Sequence, residues 1–259
     1  SDRWTLDAEN PGLVQEPSSI HGLNPDARRK QKRMKKKMPV EVEVKAGPTS
    51  LQAFLVHLAC GSGLVSALWL GHKVYSISLV SNPSQLLGLI GAIESPIIVL
   101  LYSLFRGDPK HCSILKATGR AILGILAGAF INAFGAIALG APVGIQYLPS
   151  TFYWSLLMSL FTFVPAAAVY GASWRDWQRI FGHTKPVETI DFMICVPAHG
   201  AVIGAWVGAW PMPLDWERPW QEWPVCVTYG AMGGYCVGML VSLGFVLSLG
   251  GGRLHMKVH

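Results

Sequence analysis

The sequence predicts an all-α integral membrane protein, a bundle of about six transmembrane helices with a disordered basic N-terminal segment. Hydrophobic residues make up 51% of the 259 residues and charged residues only 14%, whereas soluble domains carry roughly 25% charged residues. Six apolar runs follow one another along the chain, and most of the excess positive charge lies ahead of the first run. The chain is therefore expected to cross a membrane repeatedly.

Each apolar run approaches or exceeds the length of one membrane crossing. The runs occupy residues 50–72, 84–105, 120–141, 150–172, 190–210 and 225–249. A helix needs roughly 20 residues to cross about 30 Å of hydrocarbon. Residues 1–48 contain no such run, and we expect them to form a disordered cytoplasmic segment. The predicted organisation is thus segment 1–48, a transmembrane domain 49–250 and a short cytoplasmic tail 251–259.

Basic residues predict the orientation of the helices. Eight of them lie within ten positions before the first run: Arg28, Arg29, Lys30, Lys32, Arg33, Lys35, Lys36 and Lys37. A basic cluster shortly before a span is typical of a topology signal and a contact with anionic lipid head groups, an interpretation we prefer to nucleic-acid binding. With this end inside, the inner connections and tail hold Arg106, Lys110, Lys116, Arg120, Arg175, Arg179, Lys185, Arg253 and Lys257. The outer connections hold only Lys73 and Arg218. We therefore expect both termini to be cytoplasmic and the loop 211–224 to lie on the far side.

Small side chains recur every four residues in several of the apolar runs. The candidates for helix packing in the last two runs are Gly200, Gly204, Gly208, Gly230, Gly234 and Gly238. Residues four apart lie on one helix face, and glycine there allows two backbones to approach closely. We expect tight packing, but the pattern leaves open whether the partner helix belongs to this chain or to another protein.

Three polar residues in the middle of apolar runs are candidates for function inside the membrane: Glu94, Asn132 and His199. A charge at the centre of a bilayer costs about 2.5 to 3.5 kcal/mol on insertion scales. In the structural interpretation, Glu94 hydrogen-bonds backbone groups freed by Pro96, and His199 forms an interhelical hydrogen bond. In the functional interpretation, the three side chains form a cluster that binds a cation or relays protons. Both interpretations remain open.

The connection between the last two runs is rich in tryptophan, proline and charge. From Gly204 to Pro224 the sequence carries five tryptophans, four prolines and four charged residues. Tryptophan prefers the membrane–water interface, and proline stiffens a loop. The segment is either a recognition surface or a plain interfacial belt with a salt bridge. Candidate contacts with a partner or with lipid are Trp210, Pro211, Pro213, Asp215, Trp216, Glu217, Arg218, Pro219, Trp220 and Trp223.

Arg218 stands among acidic residues of this connection, which leaves two roles for it. It either braces the loop by pairing with Asp215 and Glu222, or it contacts a phosphate group. We prefer the brace, because neighbouring carboxylates compete with an anionic ligand.

Motifs of self-contained catalysis are absent from the sequence. There is no glycine-rich phosphate loop, no HExxH, no GxSxG and no metal-spaced pair of histidines or carboxylates. The five cysteines include no CxxC pair, which argues against both a zinc site and a disulfide framework. We expect neither a cofactor nor a metal, and no catalytic residues.

The run from Gly204 to Trp223 closely resembles the signature of the PIG-F family, the phosphatidylinositol-glycan biosynthesis class F proteins. Residues 139–142, 162–171 and 230–235 are also similar to that family. The resemblance covers residues 120–249, and the first two runs match mainly in hydropathy.

The resemblance implies a multi-pass protein of the endoplasmic reticulum that acts in glycosylphosphatidylinositol (GPI) anchor synthesis. Members of the family bind and stabilise the large class O and class G subunits that transfer ethanolamine phosphate, and they are not catalytic themselves. The resemblance also implies that the loop 211–224 is lumenal, where those partners carry their catalytic metal site.

Two other classes of function compete with a stabilising subunit. A small lipid or ion transporter would use Glu94, Asn132 and His199, but it should show an internal repeat with broken helices at corresponding positions. Pro96 and Pro165 are not obviously equivalent in this sense. An intramembrane enzyme acting on a lipid head group through His199 or Glu94 would need a convergent polar pocket.

Overall fold

The structure is a computed structural model that describes residues 47–107 and 112–256, with only the backbone described for 250–256. The basic block and nearly all of the expected segment 1–48 lie outside the described residues, as do Lys110 and Lys257. Where the chain is described it is helical and contains no strand. The predicted all-α membrane fold is confirmed.

Six long helices account for the six predicted crossings. They are α1 (Ser50–Lys73), α2 (Pro83–Leu104), α3 (Ile114–Ala138), α4 (Leu148–Tyr170), α6 (Thr189–Ala209) and α7 (Val225–Met256). All six are long and apolar enough to cross a membrane. A short helix α5 (Trp174–Trp177) continues into a π-helical turn, Gln178–Gly182, in the connection between α4 and α6.

Two helix ends differ from the boundaries that hydropathy predicts. Helix α3 begins at Ile114 rather than at residue 120, because the Ser113 hydroxyl caps it by accepting a 3.2 Å hydrogen bond from the backbone N–H of Lys116. Lys116 and Arg120 therefore lie in the first turns of a helix and not in a connection, where their long side chains can extend toward water. Helix α7 continues through the expected start of the tail to Met256.

Helix α4 is the centre of the bundle. It contacts α2, α3 and α6. Within its apolar 18-residue stretch, 78% is buried inside the protein, whereas the corresponding share of α3 is 28%. Helices α6 and α7 form the most extensive helix pair, and α1 packs against α2 and α7. The connection 139–147 before α4 and the connection 210–224 before α7 thus lie at the same end of the bundle, and α5 belongs to the other end.

Proline interrupts the backbone hydrogen bonding of α2, α4 and α6. Pro197 in α6 has no N–H, so the carbonyl of Met193 loses its usual partner four residues later. The buried Tyr102 hydroxyl of α2 donates a 3.1 Å hydrogen bond to this carbonyl. The break in α6 is therefore used to tie two helices together.

Candidate functional site

The connection 210–224, here called the Trp/Pro loop, is held together by one glutamine. Gln221 is only 7% exposed, and its side-chain N–H₂ donates to the carbonyls of Pro211 (2.6 Å) and Leu214 (2.9 Å). Its side-chain oxygen accepts a 2.9 Å hydrogen bond from the backbone N–H of Arg218. A single side chain thus links the two halves of the loop.

Gln221 is not among the candidate residues predicted from the sequence. The sequence indicates the role of Gln221 only indirectly. A loop with four prolines has few backbone N–H donors, so its carbonyls need a donor from a side chain. Gln221 is the only amide side chain between Ala209 and Val225. That combination is the pattern that could have pointed to it.

The Trp/Pro loop is also attached to the central helix. The indole N–H of Trp223 donates a 2.9 Å hydrogen bond to the hydroxyl of Thr151 on α4. Its ring packs 5.0 Å, centroid to centroid, from that of Trp154. Trp223, expected among the contact residues, therefore anchors the loop within the protein.

Three tryptophans of the loop are exposed instead: Trp210, Trp216 and Trp220, here called the tryptophan edge. Trp210 is 72% exposed and Trp216 56% exposed. The rings of Trp216 and Trp220 lie 6.0 Å apart, which gives the edge a local aromatic pair. Exposed indoles next to the ends of apolar helices suit the interface of a membrane or of a partner protein.

A cavity of about 540 Å³ opens between the Trp/Pro loop and the connection 139–147. We call it the loop groove. Tyr147 lines it from the side of the connection, and the Trp/Pro loop contributes four charged side chains: Asp215, Glu217, Arg218 and Glu222. Three acidic residues and one arginine therefore border the same space.

The expected ion-pair brace at Arg218 is wrong. Among the described side chains, Arg218 has no ion pair within 4 Å with Asp215 or with Glu222. Glu217 has a φ of 51°, in the left-handed region, and the chain then enters the 3-10 turn Pro219–Gln221. The loop is closed by Gln221 and needs no brace from Arg218.

The six glycines predicted to pack helices, Gly200, Gly204, Gly208, Gly230, Gly234 and Gly238, meet at one crossing between α6 and α7. A Cβ on Gly204 would overlap the carbonyl oxygen of Gly230, and a Cβ on Gly234 would overlap that of Gly200. A Cβ on Gly238 would lie 2.7 Å from the Cα of Pro197. Gly208 meets the backbone of α7 in the same way. This glycine face is therefore occupied within the chain and is not presented to another protein.

Glu94 is fully buried in α2. Among the residues that the structure describes, neither carboxylate oxygen has a hydrogen-bond partner, so the bond to backbone freed by Pro96, one of the two interpretations, is not formed. The side chain instead lies against Gly63 of α1, where a Cβ would overlap its Oε1 atom. Ser95 makes the local backbone bond, donating 2.5 Å to the carbonyl of Gly91.

Asn132 and His199 each form a hydrogen bond within their own helix. The Asn132 amide donates 2.8 Å to the carbonyl of Gly128, and His199 Nδ1 donates 2.7 Å to that of Cys195. The interhelical hydrogen bond that the structural interpretation gave to His199 is not present among the described residues. No hydrogen bond joins any two of the three candidate polar residues in the described part of the chain. Hydrogen bonds between the described residues thus do not link the three side chains into a relay.

An ion-pair network lies at the opposite end of the bundle. Asp191, 1% exposed in the first turn of α6, accepts hydrogen bonds from Arg179, from the Tyr170 hydroxyl (2.6 Å) and from the backbone N–H of Glu188 (2.9 Å). The hydrogen bond to Asp191 raises the pKa of the Arg179 guanidinium above its usual value. The network joins α4, α6 and their connection, and sequence reasoning had used Arg179 only as a sign of topology.

Among the described residues there is neither a group of metal ligands nor a disulfide bond. Over 47–107 and 112–249, no three His, Cys, Asp or Glu side chains are grouped as metal ligands would be. The five cysteines are all free thiols, and four of them are buried.

Comparison with known proteins places the chain among proteins of GPI synthesis. It is 37% identical over 106 residues to the mouse protein named "GPI ethanolamine phosphate transferase, stabilizing subunit", covering 41% of this chain and 48% of the relative. It is 33% identical over 136 residues to "Glycosylphosphatidylinositol anchor biosynthesis protein 11" of Neurospora crassa, covering 52% and 47%. A Schizosaccharomyces pombe protein, "PIGF/3-ketodihydrosphingosine reductase fusion protein", is 38% identical over 163 residues, 63% of this chain and 32% of the relative.

These matches are partial in length, since the chain spans about half the length of the curated relatives it matches first. No solved structure matches it. The profile of the family described as "GPI biosynthesis protein family Pig-F" matches residues 64–243, which is more than half of the chain and includes the Trp/Pro loop and the glycine crossing. The chain belongs to the PIG-F family.

Proposed function

We propose that this protein is a non-catalytic subunit that binds and stabilises the GPI ethanolamine phosphate transferases of class O and class G type. The mouse and human relatives support this role, because both are named stabilizing subunits of a GPI ethanolamine phosphate transferase. The proposed site of action is the endoplasmic reticulum membrane, in agreement with six helices able to cross it. The partners are the large transferase subunits and membrane lipids.

The proposal rests on one observation: the tryptophan edge is exposed on a loop whose backbone is fixed by Gln221 and Trp223. Gln221 and Trp223 fix the loop backbone, so the edge does not have to be ordered when a partner binds. Preorganisation of this kind lowers the entropic cost of association. Tryptophan is also among the residues that most often dominate binding energy at protein interfaces.

The proposed topology has a cytoplasmic segment 1–48, six crossings and a cytoplasmic tail, with the Trp/Pro loop in the lumen. The skew of Lys and Arg toward the other connections supports this orientation. An engineered Asn-x-Ser/Thr site in a lengthened version of loop 211–224 should be glycosylated, because glycosylation occurs in the lumen. The same sequence inserted at 176–186 should remain unmodified. A gel-mobility assay with glycosidase treatment reads out both variants, and the reverse pattern would overturn the orientation.

The docking role predicts a large effect of Trp216→Ala on recovery of the transferase. Truncating an anchor residue of this type costs about 2 kcal/mol or more, which corresponds to roughly thirtyfold weaker association. The amount of large transferase subunit that co-isolates in gentle detergent should fall, while the level of this protein stays constant. Raising the transferase concentration should restore the complex by mass action.

Trp174→Ala is the matched control for this experiment. Trp174 is also 72% exposed, but it lies on α5 at the other end of the bundle. Its replacement should leave co-isolation unchanged. Equal recovery with Trp216→Ala, Trp174→Ala and the unaltered protein would show that the tryptophan edge is an interfacial belt and not a docking surface.

A further inference from the structure

We propose that Glu94 is a proton-binding site at the crossing of α1 and α2. Its side chain is a neutral carboxylic acid while α1 is packed against α2, and it releases the proton to water when α1 moves away. The ligand of the site is thus the proton, and its binding controls how firmly α1 is attached. The inference concerns a group that neither the glycine crossing nor the Trp/Pro loop uses, and it does not depend on the proposed function.

Glu94 has neither solvent nor a polar partner. It is 0% exposed near the middle of α2, and among the described residues neither of its carboxyl oxygens accepts or donates a hydrogen bond. Its Oε1 atom lies against Gly63 of α1, next to the side chain of Ile97. An ionised carboxylate in such surroundings is very costly, whereas a neutral carboxyl costs far less. Burial without a partner therefore favours the protonated form.

No basic side chain is placed to neutralise a carboxylate at this point. Glu94 is the only charged residue of α2, and α4 contains no Asp, Glu, Lys, Arg or His. On α3, Lys116 is exposed in the first turn, and the guanidinium of Arg120 lies against Gly171, the residue that caps the end of α4. On α1, Lys73 is the last residue, ten positions beyond the contact with Glu94, which is a rise of roughly 15 Å along the helix. Within the described part of the chain Glu94 forms no ion pair.

The other titratable groups around Glu94 are thiols, a phenol and one imidazole. Cys60 of α1 and Tyr235 and Cys236 of α7 lie within range of a charge on Glu94. Thiols and phenols are ordinarily uncharged at neutral pH, so they supply no positive charge. The imidazole of His57 lies nearer the start of α1, where a 3.2 Å hydrogen bond joins its Nε2 to the hydroxyl of Ser242 on α7. The proton is therefore the cation that the site itself leaves for Glu94.

Packing of α1 is what keeps water away from the carboxyl. A Cβ on Gly63 would overlap Oε1 of Glu94, so α1 covers this atom with backbone. The opposite side of α1 is open, since Leu58 and Trp69 are both more than half exposed. An ionised Glu94 gains hydration only if this peripheral helix moves outward. Loss of the proton therefore favours displacement of α1.

The proposal fixes the sign of a pH dependence. In the unfolded chain a glutamate loses its proton above about pH 4.3, whereas the folded protein retains it at Glu94. Folding at neutral pH then takes up a proton, so the folded state becomes less favourable as the pH rises. The folding equilibrium constant falls by up to about tenfold per pH unit on this account. A carboxylate that folding stabilises in its charged form would show the opposite dependence.

The test compares the unaltered full chain with Glu94→Gln, which keeps the size of the side chain and is neutral at every pH. Thermal unfolding in detergent should be measured from about pH 5 to about pH 9. Glu94→Gln should have the higher Tm, and its advantage should grow with each pH unit. Glu222→Gln is the matched control, because Glu222 is an exposed carboxylate, and its difference from the unaltered chain should stay small and constant.

Two outcomes of this comparison would overturn the proposal. A Glu94→Gln protein that is less stable than the unaltered chain, or that fails to accumulate, would mean that folding needs an ionised carboxylate held by a bound cation. A difference that does not change with pH would mean that Glu94 does not exchange a proton on unfolding.

Infrared spectroscopy detects the bound proton directly. At about pH 7 the unaltered chain should show the carbonyl stretch of a protonated carboxyl, and Glu94→Gln should lack it. Identical spectra in this region would contradict the assignment.

The reactivity of Cys60 tests the link to α1. Cys60 is 0% exposed one turn before Gly63, so N-ethylmaleimide reaches it when α1 moves. At about pH 9 labelling of Cys60, identified by mass spectrometry, should be several times faster in the unaltered chain than in Glu94→Gln. A negative charge on Glu94 by itself would slow thiolate formation, so faster labelling reports access rather than reactivity. Equal rates in the two proteins would overturn the control of α1 by this proton.

Discussion

Replacing Gly234 with alanine should separate α6 from α7 and sharply lower the amount of folded protein. The new Cβ would overlap the carbonyl oxygen of Gly200 and lie 2.9 Å from the Cα of Gly204. Both obstacles are backbone atoms, which cannot move aside as the end of a flexible side chain could. Overpacking usually costs about 1 to 3 kcal/mol, and a clash of backbone on backbone belongs at the upper end of that range.

The adjacent Gly233 provides a matched control for this prediction. A Cβ at Gly233 would meet no atom within 4 Å, so Gly233→Ala makes the same chemical change on an open face of the same helix. Thermal unfolding in detergent should show a clear drop in Tm for Gly234→Ala and little change for Gly233→Ala. Gly204→Leu, with a larger side chain at the same crossing, should be more destabilising still. Equal behaviour of the two alanine variants would mean that α6 and α7 do not cross at these glycines.

Replacing Asp191 with alanine should destabilise the opposite end of the bundle to a comparable extent. The substitution leaves Arg179 and the Tyr170 hydroxyl without their buried acceptor. Removing one partner of a buried ion pair costs roughly 3 to 5 kcal/mol, because the remaining charge stays desolvated. Arg179 keeps some contact with water, as 27% of its side chain is exposed, so we expect about 3 kcal/mol.

Asp176→Asn is the appropriate comparison, because Asp176 is the other carboxylate that pairs with Arg179. Its side chain is 32% exposed, and the ion pair with Arg179 measures 2.9 Å. An exposed pair of this type contributes about 0 to 1 kcal/mol. Thermal unfolding of both variants in detergent should therefore show a large loss for Asp191→Ala and a small one for Asp176→Asn. Similar losses would show that burial of Asp191 does not set the strength of the network.

The six crossings could be predicted because the membrane imposes a single strong constraint, a run of about 20 apolar residues. That constraint does not determine where a helix begins in water. Helix α3 starts at Ile114 because Ser113 caps it, and capping is decided by one side chain rather than by hydropathy. The glycine series predicted close helix packing, but only the three-dimensional arrangement shows that α6 and α7 are each other's partners.

The polar contacts were harder to predict, since they join residues that are distant in sequence. Trp223 and Thr151 are 72 positions apart, and Tyr102 and the carbonyl of Met193 are 91 apart. Arg218 was expected to pair with its acidic neighbours, because sequence proximity suggests contact. Among the described side chains, however, Arg218 has no ion pair with Asp215 or Glu222. Glu94 illustrates the same limit, since its side chain lies against Gly63 of α1, a residue 31 positions away in sequence.

Transfer of ethanolamine phosphate per assembled complex tests the stabilising role most directly. The amounts of complex and of product should be measured together in cells carrying the unaltered chain, Trp216→Ala or Gly234→Ala. If this protein acts by stabilising the transferase, each variant lowers product and complex in the same proportion, so the ratio of the two stays constant. Normal amounts of complex without product, in any of these variants or in Glu94→Gln or His199→Ala, would contradict the proposal and indicate a catalytic role.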